Sequence, residues 1–578
     1  MKKTPCEVGM EVTPQRAATA VNGPQRRLPR RGFLQRAGMG VAGLTCADFL
    51  RYFKANGAPQ DSRADRLARE AVEANEDPHF LTYWYLEGGW AGYDMFNPVM
   101  TANNVHQRLD RISDERYRVL KWGDEDYTIY EQGNIRYGYL GREGESLFPD
   151  MAVLSSMHTG SGHSRDRLRV HMGQYKMRQS DEREEDERSV MQAFAEVYGQ
   201  NYALPNLSWH WWLSDGELNE VQYRGKRGYY HALGPVHAHT IYAGTPQKLR
   251  RMIRQLREGS DDIVNRAVEG FLDQADRAIL KDDNIESVKS YHSARRIYQQ
   301  LTERGSAVEA NELAGLFEDP ELREMFGVRR EDELITYRSV NGNKARSKFS
   351  PNVNVQAMMS YEMMRAGLSC AFFIESRDVR RFDSHFSRKR LWESDGRARG
   401  MPDQTAMMAA DLWNPLKAYV ERLKATEYGN TGRSYYDLTN IVVTSEFGRS
   451  LHGNVEGILK KDISDEDKTK QIGGQDISAH WKVTSCAFLG GNVKGDSQFG
   501  GVGEETLMAI PLLPDGQLDP SFDPVTGRLR EGKTPHPKGF IPNHGDVYAT
   551  ALALSGINPK GHGRNERSAM NFIRRRNS

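Results

Sequence analysis

The chain has 578 residues, enough for a large core and, by length alone, for roughly three or four domains. Lys+Arg 79 against Asp+Glu 78 leaves a net charge of +1, so no global field favours nucleic acid or anionic lipid. No apolar run approaches the roughly 18–20 residues of a membrane-spanning helix, and the four cysteines show no zinc-ligand spacing.

Residues 29–36 read PRRGFLQR, followed by the weakly apolar AGMGVAGLTCA. An arginine pair, Phe33-Leu34 and a Gly/Ala-rich stretch in that order resemble a twin-arginine export signal. Ala55-Asn56-Gly57 offers a small-x-small cleavage site, and Cys46 lacks the residues of a lipoprotein signal. Residues 1–57 are therefore expected to be an export leader. The expected partner is the twin-arginine export machinery, which carries folded chains, and the expected location is the periplasm, the cell surface or the medium outside a bacterium.

From residue 77 to 578 the pattern predicts one α/β domain. HFLTYWYLEGG is the first β-type run. It is followed by AVLSSM (152–157), LSWHWWLS (207–214), LSCAFFIE (368–375), NIVVTSE (440–446) and TSCAFLGG (484–491). Near-continuous apolar runs of this length suit parallel strands covered on both faces. Thr245-Pro246 reads as a helix start, and a largely helical segment runs from about 245 to 330. Further helices are expected over 355–367, closed by Gly367, over 405–425, and over DVYATALALSG with Asp546 as its cap. The charged stretches 178–188 and 460–471 read as solvated insertions. Cys370 and Cys486 lie in apolar runs, as buried thiols or as one disulfide.

In α/β sheets, functional groups gather beyond the carboxyl ends of strands. Glu87 and Asp94 follow the first run; His158, Ser161 and His163 follow the second. Asp383 and His385 stand in FDSH after the fourth, Glu446 and Arg449 in SEFGR after the fifth, and Asp476 and His480 before the sixth. IPNHGD adds His544 and Asp546. Carboxylate and imidazole ligands without thiolate suit divalent ions such as Zn, Mn or Fe. In an extended Asp-x-His both side chains point the same way, so Asp383 and His385 are placed to share one ion. Ser161 lies in TGSGH, a small-residue loop whose backbone N–H groups suit an anion, and is the first choice for a nucleophile; Thr159 and Ser156 compete with it.

The order RRGFL, LEGGWAGYDMFNP, SSMHTGSGH, FDSH, VVTSEFGRS and AHWKVTSCAFLGGNVKG resembles the DUF1501 family, exported bacterial proteins of the alkaline phosphatase and sulfatase superfamily. The resemblance runs along nearly the whole mature chain. It implies an alkaline-phosphatase-like fold, a central mostly parallel sheet sandwiched between helices, here with charged helical insertions. It also implies divalent metal ions (Zn, Mn, Mg, Ca or Fe), commonly two, and an anionic small-molecule or polymer ester as substrate. On the matching positions, Asp383, His385, Glu446, Arg449, His480 and Asp94 take the family's motif places. Asn97 stands where the family has a second Asp, Ser384 where it has Thr, and Ala479 where an Asp precedes the His.

Three functions follow as expectations. The first is a metal-dependent hydrolase of a phosphate or sulfate ester, with Ser161 and Arg449 catalytic and Asp94, His158, His163, Asp383, His385, Glu446, Asp476, His480 and His544 as metal ligands. The second is a non-catalytic binding or envelope-assembly protein on the same fold, favoured by Ala479. The third, carbohydrate binding through Trp209 and Trp211, competes with ordinary core packing of those rings.

Overall fold

The computed structural model describes residues 79–98, 129–160, 189–199, 319–329, 353–376, 408–449, 480–504, 506–560 and 567–575. It also describes 162, 166, 169–171, 173, 202, 206–208, 239–240, 462–464 and 467. The leader, the helical segment from 245 up to residue 318, the 178–188 insertion and Trp209 and Trp211 lie outside these residues, while the end of that segment holds a short helix, Pro320–Met325. The elements in chain order are β1 (Phe80–Tyr85), β2 (Tyr130–Gln132), β3 (Ile135–Tyr137), β4 (Met151–His158), α1 (Val190–Tyr198), β5 (Asn206–Ser208) and β6 (His239–Thr240). Then come α2 (Pro320–Met325), α3 (Val353–Arg365), β7 (Ala371–Glu375), α4 (Asn414–Ala425), α5 (Tyr435–Leu438) and β8 (Thr439–Thr444). The last are β9 (Gly448–Arg449), β10 (His480–Trp481), β11 (Val483–Gly490), β12 (Ser497–Phe499) and α6 (His544–Leu554).

Eight strands form the main sheet in the order β12-β4-β11-β8-β1-β7-β5-β6. All neighbours are parallel except at β11, which runs antiparallel to both β4 and β8. The α/β reading with a mostly parallel sheet holds, and the reversed strand is an addition to it. That reversal has a consequence for function. The amino end of β11 lies beside the carboxyl ends of β4 and β8, with Val483 opposite His158 and Cys486 opposite Thr444. Residues preceding β11 thus reach the same sheet edge as residues following its neighbours.

The alternation of side chains along β1 shows why FLTYWY is buried throughout. Thr82 and Trp84 point to one face, where Thr82 Oγ1 meets the Tyr419 hydroxyl of α4 at 2.9 Å and Trp84 Nε1 donates to the Asp411 carbonyl at 3.2 Å. Tyr83 and Tyr85 point to the other, where the Tyr83 hydroxyl donates to the Val170 carbonyl at 3.2 Å and Tyr85 meets the His171 ring edge-on. Burying each such side chain contributes about 2–3 kcal/mol, so a strand apolar on both faces is strongly held between layers. Cys370 and Cys486 are buried and form no disulfide, and burial pushes both thiols up.

The helices differ from expectation at their ends. α3 closes at Gly367, whose φ of 64° is the left-handed turn that glycine takes without strain. The 405–425 pattern is, in its described part, a π-helical turn over Ala409–Trp413 leading into α4, with Pro415 in the first turn of α4. Asp546 does not start α6. Asn543 is the N-cap, accepting the Gly545 N–H at 2.7 Å, and Asp546 closes a capping box by accepting the Asn543 N–H at 2.9 Å.

Candidate functional site

Three sequence motifs, LEGGW, SEFGR and the His480-Trp481 pair, meet at the carboxyl edge of the sheet. Leu86 continues β1 by donating to the Thr444 carbonyl at 3.0 Å. The chain then turns through Gly88 and Gly89, at φ of 121° and 79°. The Gly88 N–H donates to both carboxylate oxygens of Glu446, at 2.9 and 3.2 Å, and the Trp90 N–H to the Ser445 hydroxyl at 3.2 Å. Ser445 in turn donates to the Leu86 carbonyl at 2.6 Å. Arg449, only 2% exposed, donates from Nε to the Gly89 carbonyl at 3.1 Å and from Nη2 to the Gly88 carbonyl. Its guanidinium lies over the Phe447 ring.

Space explains the glycines. A Cβ on Gly89 would collide with the Phe447 ring, and one on Gly448 with the Val483 carbonyl oxygen. With Gly448 bare, β9 and β10 pair, His480 opposite Arg449 and Trp481 opposite Gly448. The His480 ring then sits 4.2 Å from the Phe447 ring. Trp481 Nε1 and the Tyr93 hydroxyl both donate to the Leu507 carbonyl, at 3.0 and 2.8 Å.

The second part of the edge comes from β4 and from the approach to α6. His158 ends β4, and its N–H donates to the Pro542 carbonyl at 2.7 Å. Its side chain reaches solvent, yet partial burial and then the charges of Lys482 and Arg169 hold its pKa below the usual value. Two residues beyond Pro542, His544 is buried, with Nε2 3.0 Å from the Glu446 carbonyl oxygen. A carbonyl only accepts, so the ring proton sits on Nε2 and Nδ1 carries a lone pair. That Nδ1 is buried and has no hydrogen-bond partner among the described contacts. Burial first, then Arg169, lowers the His544 pKa against the opposing pull of the Glu446 carbonyl and Asp166. Burial also pushes the neighbouring Asp546 carboxyl up to about 6.

The glycine loop after β4 is held by a residue that motif reading missed. Asp166 is buried and accepts the N–H groups of Gly160 at 3.0 Å and Gly162 at 2.8 Å, with Arg169 Nη1 at 2.7 Å. The anion that these two loop amides hold is therefore the chain's own carboxylate, which corrects the expectation that they stand open to a ligand. Its position four residues after Gly162 was the available signal. Of the competing nucleophiles, Thr159 donates to the Gly160 carbonyl at 3.1 Å, while Ser156 is buried and accepts the Gly501 N–H at 3.2 Å. Glu375, which ends β7 beside β1, and Ser376, which follows it, also carried no motif signal; the Ser376 hydroxyl accepts the N–H of buried Glu87 at 2.9 Å.

Glu446, Arg449, His480, His158 and His544 thus lie on one edge, brought there from four separate parts of the sequence. The backbone of Asp94 lies in a short 3-10 turn, Gly92–Asp94, just after Trp90. Ser161, His163, Asp383, His385 and Asp476 lie outside the described residues. Among the described residues no three His, Cys, Asp or Glu side chains come together in a metal-holding group, and no helix is long and apolar enough to cross a membrane. No protein-family model, curated protein or solved structure matches the chain.

Proposed function

We propose that this chain is an exported, metal-dependent hydrolase of a phosphate or sulfate ester, on an alkaline-phosphatase-like core of the DUF1501 kind. The observation that carries the reading is the buried His544 Nδ1, whose lone pair meets no donor among the described residues at an edge rich in carboxylate and imidazole. A buried acceptor without a donor costs about 1–3 kcal/mol, and a divalent ion is one group that would satisfy it. His544 and Glu446 would hold such an ion together with Asp383, His385, Asp476 and His163, and His158, His480 and Asp94 complete the ligand candidates. A bound divalent ion supplies Lewis acidity and an activated oxygen nucleophile to ester cleavage. The chain's own residues do the rest: Arg449 and Glu446 fix the Gly88–Gly89 turn, and the Glu446 carbonyl fixes the tautomer of His544. Ser161 is the proposed nucleophile. Export by the twin-arginine leader expected over residues 1–57 would put the protein in the periplasm or outside the cell.

The test is metal analysis of the mature chain by mass spectrometry, with turnover of phosphate mono-, di- and sulfate esters after metals are added back. At least one ion per chain and hydrolysis of one ester class are expected. Alanine at Asp383 and His385 should remove both; unchanged metal and unchanged turnover in those variants would falsify the site.

A second reading, a non-catalytic binding or envelope-assembly protein, draws on one observation, Ala479, which stands where the resembled family has an Asp before the His. Metal-free native protein with no turnover would favour it.

A further inference from the structure

From Arg528 to Lys538 every residue is exposed, and this strap carries Arg528, Arg530, Lys533 and Lys538 against the single acid Glu531. The surplus of three positive charges stands on a chain whose total is +1. The strap is not a loose tail. Asp519, itself buried, closes its base by accepting the Ser521 N–H at 2.9 Å and the His536 N–H at 2.8 Å. Arg530 ties back through its own N–H to the Ser521 carbonyl at 2.9 Å and through Nε to the Phe522 carbonyl at 3.2 Å. Pro535 and Pro537 stiffen the return. Two large apolar side chains accompany the charges, Val525 at 59% exposure and Leu529 at 41%.

The strap also leads directly into the candidate site. Phe540 pairs with Leu512, the Pro542 carbonyl takes the His158 N–H, and His544 follows. Lys538 lies six positions before His544, a reach of at most about 22 Å.

A single exposed ion pair contributes only about 0–1 kcal/mol, so one small ester anion would gain little from the strap. A chain of repeated anionic groups engages several cations at once and releases its condensed counterions, a gain that grows with each contact. Loop ordering, already fixed by Asp519, would add little further cost. We propose that residues 528–538 form a subsite for a linear polyanion, so that the ester reaching the edge is carried on an anionic polymer. This rests on the hydrolase reading for the ester and not for the binding.

The experiment titrates the mature chain with dextran sulfate, neutral dextran and inorganic sulfate at two salt concentrations. Dextran sulfate should bind, with affinity falling as salt rises, and neutral dextran should not. The variant R528Q/R530Q/K533Q/K538Q should bind about tenfold or more weakly, with a salt slope reduced by roughly 2–3. R574Q/R575Q, which removes exposed cations elsewhere, should bind as the native chain does. Far-ultraviolet dichroism and the melting temperature check that the quadruple variant is folded, and its turnover of a small aryl ester should equal native. Equal polymer binding by the quadruple variant and the native chain overturns the proposal, as does inorganic sulfate binding as tightly as dextran sulfate. Loss of polymer binding in the variant, with no ester turned over by either protein, would instead overturn the hydrolase reading and leave the subsite standing.

Discussion

On the Gly88–Arg449 side of the carboxyl edge, polar groups are matched to one another: Glu446 accepts the Gly88 N–H, Arg449 donates to the Gly88 and Gly89 carbonyls, and Ser445 bridges Leu86 and Trp90. On the His158–His544 side, His544 is fixed through Nε2 and its Nδ1 lone pair meets no donor among the described residues. Glu446, Arg449 and His544 are buried, His158 reaches solvent, and both sides are rich in ionisable groups. The difference separates two uses of polar residues. A network that satisfies itself specifies a backbone path, whereas a buried acceptor without a partner is paid for in stability and marks where a ligand group belongs.

The comparison breaks first at Gly448. Alanine there would drive its Cβ into the Val483 carbonyl oxygen and unpair β9 from β10. The expected loss is about 3 kcal/mol or more, read as a lowered urea midpoint, with His480 released from its place over Phe447. A midpoint within error of native would show that the motif glycine is not a packing requirement.

His544→Gln tests the other side. Glutamine keeps a donor for the Glu446 carbonyl but presents no aromatic lone pair, so stability should change by only about 1 kcal/mol. Bound metal per chain should fall while the urea midpoint stays near native. The reverse pattern, stability lost and metal kept, would make His544 part of the self-satisfied network and remove the contrast between the two sides.

Much of the fold was readable because parallel strands covered on both faces leave continuous apolar runs. FLTYWY, AFFIE and TNIVVT each became a strand. The direction of β11 was not readable, since TSCAFLGG has the composition of its neighbours and only its pairing partners reverse it. That direction is what makes His480, which precedes its strand, share an edge with residues that follow theirs. The start of α6 departs from the expectation because Asn543 and Asp546 act together: NHGD carries the capping-box spacing, in which the cap stands three residues before the acid. Asp166 carries no motif signature of its own. A loop glycine reads as open to ligand until the carboxylate that takes its N–H is placed beside it in space.

The smallest expected effect lies at the foot of the strap, where Asp519 repeats the logic of the self-satisfied side. Burial tends to raise this carboxyl, but the backbone N–H groups of Ser521 and His536 outweigh it and hold its pKa below the usual 3.8. A carboxylate with a depressed folded-state pKa stabilises the fold above its unfolded value and loses that contribution as pH falls through the folded one. The His536 amide should therefore exchange slowly with solvent at pH 5 and faster as pH drops below about 3.8, after correction for intrinsic exchange. Asp519→Asn should remove this acid-dependent step while leaving the Gly160 and Gly162 amides, held by Asp166, unchanged. If the His536 amide showed no such acid-dependent step in the native chain, the strap would not owe its base to this carboxylate, and its display of cations would need another support.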